Sequence, residues 1–148
     1  MARRGMVHAL SEAWRVLEPE GLLIDLRPAM VHRRVGVDGG GRFRLAGVAR
    51  ETFETEAASN EAMARGIGDG LFRLERHVRV PCSRKMDGLA EFREWLEGFV
   101  RLENLPSHDW LFARVASVWS ASRGRRRIVV SAPLDLNVLR RAGPRGRS

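Results

Sequence analysis

The stretch HALSEAWRVLEPEGLLIDL, residues 8–26, passes from a helical pattern to a strand pattern within a few residues. Apolar residues recur at the spacing of one helix face, namely Leu10, Trp14 and Leu17. Pro19 and Gly21 end this helix, because proline cannot continue it and glycine allows a tight reversal. The strand pattern LLIDL at residues 22–26 follows at once, and its continuous apolar run, residues 22–24, predicts burial on both faces.

The residues after this stretch alternate between strand and helix patterns. The segments 30–38 and 42–50, joined by a glycine-rich turn, predict a β-hairpin. Asp87 is a candidate N-cap for a strongly amphipathic helix, whose apolar face comprises Leu89, Phe92, Trp95, Leu96, Phe99 and Val100. The other predicted elements are helices over 52–65 and from Ser107, and strands over 71–81 and 125–133. We therefore predict a single α+β domain, in which a mixed, mostly antiparallel sheet packs with about four helices.

The length of 148 residues suits one domain, which we place at residues 1–139. A basic disordered tail is expected at residues 140–148. The formal net charge is +8, and six of these charges come from arginines near the two ends, namely Arg3, Arg4, Arg140, Arg141, Arg145 and Arg147. The residues between the two ends are almost balanced in charge, so the net charge of the whole chain is weak evidence for a nucleic-acid partner.

The composition also indicates the cellular compartment. A single cysteine, Cys82, excludes a disulfide framework within the chain and fits a reducing environment. No uncharged run approaches the roughly 20 apolar residues of a membrane helix, and Glu12 interrupts the N-terminal pattern before a signal peptide is complete. We expect a cytoplasmic protein without a membrane partner. The four histidines and Cys82 show no metal-ligand spacing, so no metal site is predicted.

Residues 8–26 resemble a segment of class I S-adenosylmethionine-dependent methyltransferases. In that family a helix ends in a turn similar to RVLKPGG and leads into the fifth strand of a Rossmann-like sheet. The corresponding residues here are RVLEPEG, residues 15–21, with Glu18 in place of lysine and Glu20 in place of the first glycine. The resemblance implies a chain that corresponds to the C-terminal half of such an enzyme.

The cofactor-binding half of that family is expected to be absent. The family's glycine-rich turn and ribose-binding acid precede the segment that residues 8–26 resemble, and only six residues precede Val7. The GxGxG sequence at residues 66–70 follows a helix and precedes a strand, the reverse of the order in a cofactor-binding turn. We expect no cofactor in the isolated chain. The resemblance implies S-adenosylmethionine only where a partner chain supplies the site.

Two polar groups are candidates for ligand contact. Asp25 and Arg27 lie at the carboxyl end of the predicted strand, where ligands gather in open α/β sheets. The alternative is that Asp25 caps a turn and Arg27 pairs with it or with another acid. Asp135 and Asn137 are interpreted as turn or capping residues after the last predicted strand.

A dense basic cluster precedes that last strand and comprises Arg123, Arg125, Arg126 and Arg127. A nucleic-acid site would place an exposed aromatic side chain nearby for stacking. Trp119 is near in sequence but falls on an apolar helix face, which indicates a core position. The arginine cluster is therefore interpreted as solvent-exposed residues at the start of a strand, in preference to a nucleic-acid-binding patch.

Three functions from different classes follow. The first is a non-catalytic, methyltransferase-like binding or assembly protein. It would act as a homodimer or with a methyltransferase-type partner chain, because the strand at residues 22–26 would leave an edge or a face of the sheet that a partner must cover. The second is one subunit of a split S-adenosylmethionine-dependent methyltransferase. The third is a basic nucleic-acid-binding module, whose weak affinity would come from the charged ends.

Overall fold

The computed structural model describes residues 2–99 and 107–143, and all strand pairs in these ranges are antiparallel. The elements in chain order are α1 (Ala2–Val16), β1 (Leu22–Pro28), β2 (Arg33–Gly39), β3 (Arg42–Ala49), α2 (Glu54–Gly68), β4 (Phe72–Val80), β5 (Ser83–Met86), α3 (Leu89–Gly98), α4 (Ser107–Ala121), β6 (Arg126–Ser131) and β7 (Leu134–Arg141). The predicted α+β class with four helices is confirmed. The strands form two sheets, a division that the sequence did not indicate.

The chain divides into two compact units. The first draws on the described parts of residues 1–30, 53–80 and 134–148, and it holds α1, α2 and a sheet of order β1-β7-β4. The second draws on residues 31–52 and 81–133, and it holds α3, α4 and a sheet of order β3-β2-β6-β5.

The first unit is built around β7, which pairs with β1 along one edge and with β4 along the other. Leu139 of β7 and Phe72 of β4 are buried, and Phe72 packs near Gly66 of α2. Arg141, at the end of β7, places its guanidinium 4.4 Å from the ring centre of Trp14 in α1. These contacts fix α1 and α2 against one face of the sheet.

The second unit encloses a core between its sheet and two helices. The sheet contributes Val35, Val37, Met86, Ile128 and Val130, and the helices contribute Phe92, Leu96, Leu111 and Val115. The β2–β3 hairpin turns at Gly40 and Gly41, with φ of 58° and 76°. Glycine suits both positions, because this two-residue turn requires positive φ twice.

Several predicted elements need correction. β1 is not buried on both faces, because Leu22, Ile24 and Leu26 are exposed by 47%, 64% and 55%. The segment interpreted as a turn around Asp135 and Asn137 is the strand β7. The short strand β5 follows β4 after a two-residue connection and was not predicted.

The predicted tail also begins too early. Arg140 and Arg141 belong to β7, where Arg140 is opposite Leu22 and Arg73, and Arg141 is opposite Phe72. Ala142 follows β7 and donates its backbone N–H to the carbonyl of Leu71 at 2.9 Å. Residues 144–148 of the predicted tail lie outside the described residues, as does Val100.

The predicted N-cap of α3 is wrong in detail. Gly88 occupies the cap position, with no side-chain cap hydrogen bond. The backbone N–H of Asp87 instead donates to Oε2 of Glu91 at 3.0 Å. The side chain of Glu91 thus reaches back to the chain before the helix, while the carboxylate of Asp87 pairs with Arg127.

Phe92 carries the packing of α3 and is fully buried. Its ring centre lies 5.8 Å from that of Trp95 and 6.1 Å from that of Phe112.

We expect Phe92→Ala to lower the free energy of unfolding by about 3–5 kcal/mol, because it removes a buried ring and leaves a cavity. Urea unfolding measures this loss. Trp110→Ala, at a half-exposed aromatic residue of α4, is the control and should cost much less; equal losses would contradict the assignment of the core.

Candidate functional site

The two faces of the three-stranded sheet in the first unit differ in chemistry. Side chains alternate between the faces along each strand, and cross-strand partners share a face. The face that carries Asp25, Arg27 and Leu139 is covered by the helices, since Arg27 contacts Met63 of α2.

The opposite face is apolar and open. Its apolar side chains are Leu22, Ile24 and Leu26 of β1, Leu134, Leu136 and Val138 of β7, and Val78 and Val80 of β4. The exposed Arg76 of β4, opposite Val138, lies on the same side of the sheet. The three β1 side chains are exposed and the other apolar side chains are half-buried. We call this apolar set the open apolar face. A contiguous apolar face of this kind is a candidate interaction surface.

Charged side chains at one end of the open apolar face pair with each other. Arg140 forms a two-pronged ion pair with the carboxylate of Glu75 and donates to the backbone carbonyl of Glu20 at 2.8 Å. Arg73 lies 3.8 Å from the carboxylate of Glu20. Both signs of charge are present and mutually neutralised at this rim.

A polar cluster lies on the helix-covered face. Nε of Arg27 and Nδ2 of Asn137 both donate to Oδ2 of Asp25, each at 2.8 Å. Oδ1 of Asn137 lies 2.7 Å from Nδ1 of His77. Because a carboxylate only accepts, Asp25 fixes the amide of Asn137 with its oxygen toward His77, and Nδ1 of His77 must then carry the proton.

This polar cluster lines a cavity of about 280 Å³, whose wall includes Arg27, Asn60, Met63, His77 and Asn137. The cavity offers hydrogen-bond donors and acceptors to a small polar molecule. The structure shows Arg27 paired with Asp25, which was the alternative to ligand contact. Ligand contact by these two residues stays a prediction.

The sequence did not single out His77 and Asn137 as site residues. The alternation Leu-Asp-Leu-Asn-Val-Leu at residues 134–139 is a strand signal, and it places Asp135 and Asn137 on one face. The neighbouring Pro133 and the turn preference of Asp and Asn obscured it.

In the structure, the arginines of the predicted basic cluster differ in their contacts and exposure. Arg126 donates to the backbone carbonyl of Trp119 at 2.9 Å and lies 4.4 Å from the ring centre of that residue. Arg127 pairs with Asp87 at 3.1 Å. Arg125 is exposed and Arg123 lies in the connection between α4 and β6. Trp119 packs against the core, as the sequence predicted.

Asp135 forms the best-defined ion pair beside the polar cluster. Nε and Nη2 of Arg79 donate to its two carboxylate oxygens at 2.8 and 3.1 Å. These hydrogen bonds hold the pKa of Asp135 below its ordinary value. A lowered pKa in the folded state stabilises the fold above the unfolded pKa, and this contribution is lost as pH falls through the folded pKa.

We therefore expect Arg79→Gln to raise the pKa of Asp135 and to reduce the loss of stability on acidification. An NMR titration of the Asp135 carboxyl carbon measures the pKa directly. Arg65→Gln, which breaks the exposed pair with Glu61 in α2, is the matched control and should leave that pKa unchanged. An unchanged pKa in Arg79→Gln would show that the ion pair is not formed in solution.

Among the described residues, no group of three or more histidine, cysteine, aspartate or glutamate side chains is arranged to hold a metal ion. No helix in the described ranges is long and apolar enough to cross a membrane. Comparisons of the chain with protein-family models, with curated proteins and with solved structures find no match.

Proposed function

We propose that this chain is a binding and assembly protein that associates with a second copy of itself through the open apolar face. The observation that carries the proposal is the exposure of Leu22, Ile24 and Leu26 on a strand whose neighbour adds further apolar side chains to the same face. Covering such a face removes apolar surface from water, which contributes a favourable free energy of about 25 cal/mol per Å² buried.

The rim of the face favours a second copy over a strongly charged partner. Arg140 and Arg73 are paired with Glu75 and Glu20 within the chain, and among the described residues Arg76 is the cation on this side of the sheet without an ion pair. The surface that best matches an aliphatic face with so little unpaired charge is another face of the same kind. A two-fold axis brings two identical faces together, and this is the commonest symmetry of single-gene assemblies.

The size of the open apolar face sets the expected affinity of the dimer. Three strands about 4.8 Å apart and seven residues at about 3.3 Å each give a face of about 14 by 23 Å. This area is well below the roughly 800 Å² per partner of a stable interface. We therefore expect a reversible dimer with a dissociation constant on the order of micromolar or weaker.

Ile24→Glu tests this association, because it places a carboxylate within the open apolar face. We expect wild-type protein to pass from monomer to dimer as its concentration rises in sedimentation experiments, and Ile24→Glu to remain a monomer. Val16→Glu is the matched control, since Val16 is equally exposed but lies at the end of α1. It should dimerise as the wild type does.

Two outcomes would contradict the proposal. One is a wild-type chain that stays a monomer up to submillimolar concentration. The other is loss of the dimer in Val16→Glu as well, which would point to a general effect of added negative charge. Circular dichroism of each variant verifies that it is folded.

The hypothesis of a split methyltransferase stays a prediction, and calorimetry with S-adenosylmethionine addresses it. We expect no measurable heat of binding from this chain alone. One-to-one binding in the micromolar range would overturn that expectation and would favour an enzyme over an assembly protein.

A further inference from the structure

The four-stranded sheet of the second unit has an outer face opposite its core. Val35, Val37, Ile128 and Val130 are buried on the inner side. The alternate residues therefore lie on the other side, namely Arg34, Gly36 and Asp38 of β2, Arg127 and Val129 of β6, and Lys85 of β5. We call this set, together with Phe43, Leu45 and Val48 of β3, the outer face.

Phe43 forms a flat aromatic surface on the outer face. A Cβ atom at position 36 would lie 2.5 Å from the ring of Phe43, so the ring rests directly on the backbone of Gly36. Phe43 is 46% exposed. The guanidinium of Arg34 lies 5.9 Å from the ring centre, at the outer limit of a cation–π contact. A large aromatic side chain is thus held in place with much of its surface in solvent.

A cationic pocket of about 520 Å³ lies beside this ring. Its charged lining consists of four cations and one carboxylate, namely Lys85, Arg125, Arg126, Arg127 and Asp38. Asp38 is directly opposite Phe43 in the β2–β3 ladder and opposite Arg127 in the β2–β6 ladder. The ring and the nearest pocket cation are therefore two strands apart, a backbone separation of about 10 Å.

Three of the four cations are available to an anion. Arg126 is held by backbone carbonyls and by the ring of Trp119. Within the described ranges, the one ion pair of Arg127 is with Asp87, whose side chain is 85% exposed, and such surface pairs are weak. Lys85 and Arg125 are exposed, and neither forms an ion pair within the described part of the chain.

We propose that the outer face binds single-stranded nucleic acid, with a base stacked on Phe43 and phosphates bound by Lys85, Arg125 and Arg127. An exposed ring beside a cationic groove is the arrangement that binds single strands without strong sequence preference. A duplex hides the faces of its bases, so the ring selects for a single strand. This site and the open apolar face share no residue, so either proposal can fail without the other.

The experiment uses the full chain and fluorescein-labelled oligo-dU and oligo-U of about 12 nucleotides, which differ only in the sugar and lie within the usual site size of a small binding domain. Fluorescence anisotropy is measured between low and moderate salt. We expect binding of one or both strands, with a log–log salt slope near −2 for three phosphate contacts. Tighter binding of oligo-U would indicate contacts to the 2′-hydroxyl group, and equal binding would indicate that the base and phosphate alone are recognised.

Variants separate the two parts of the site. Phe43→Ala should weaken binding by about 5-fold to 150-fold, the range for loss of one stacked base, while Phe43→Trp should preserve it. Lys85→Ala combined with Arg125→Ala should reduce the salt slope to about −0.7, because one phosphate contact then remains.

Matched controls carry the same side-chain types elsewhere in this unit. Trp110→Ala removes an exposed aromatic side chain of α4, and Arg93→Ala removes a cation of α3. Both should bind as the wild type does. A chain that ends at Gly143, without Arg145 and Arg147, should also keep its affinity.

Four results would overturn the proposal. They are no binding of either strand at low salt, unchanged affinity in Phe43→Ala, equal or tighter binding of a duplex of the same length, and loss of binding in the shortened chain. The last result would assign the affinity to the charged end of the chain.

Discussion

The double pairing of β7 is the constraint on which the first unit depends. β1 and β4 each form an antiparallel ladder with β7, so three segments that are far apart in sequence become one sheet. The side chains of β7 alternate strictly, with Leu134, Leu136 and Val138 on one face and Asp135, Asn137 and Leu139 on the other. A shift of β7 by one residue against both neighbours would exchange these two sets. The open apolar face and the polar cluster are thus two consequences of one register.

The polar cluster explains how this register tolerates polar residues beneath the helices. A buried amide costs free energy unless its hydrogen bonds are made. Asn137 is buried, and it bonds to Asp25 on one neighbouring strand and lies within hydrogen-bond distance of His77 on the other. The three side chains therefore link all three strands across the sheet. A slipped register would separate these partners, so the cluster favours the observed pairing over its alternatives.

The sequence predicted most individual elements, because periodicity and turn residues are local signals. The helices, the hairpin at Gly40 and Gly41, and the strands β1, β4 and β6 follow from such signals. The sequence was misleading where tertiary contacts decide the outcome. A continuous apolar run such as residues 22–24 normally indicates burial on both faces, yet one face of β1 is exposed. Asp135 and Asn137 have turn preferences, which are overridden because β1 and β4 supply their hydrogen-bond partners.

The candidate sites were only partly predictable for the same reason. Asp25 and Arg27 are two residues apart, and their pairing was one of the alternatives drawn from the sequence. His77 and Asn137 are separated by 60 residues, and Asn137 and Asp25 by 112, so no local pattern joins them. Near the basic cluster the sequence offers Trp119, which packs against the core beneath Arg126. The exposed ring comes from Phe43, and only the strand ladder places it near Arg127.

The chemistry of the two exposed sheet faces accounts for the different partners proposed for them. Aliphatic side chains such as Ile24 and Leu26 gain only by leaving water, and another aliphatic surface satisfies them fully. They present no aromatic face to a base and no charge to a phosphate. Phe43 does present such a face, and the adjacent cations gain from the release of counterions when a phosphate binds. Gly36 makes this second surface possible, because any Cβ atom at that position would displace the ring from the sheet. One antiparallel architecture therefore yields two kinds of surface, and the side chains on the exposed alternate positions of each strand decide which kind is formed.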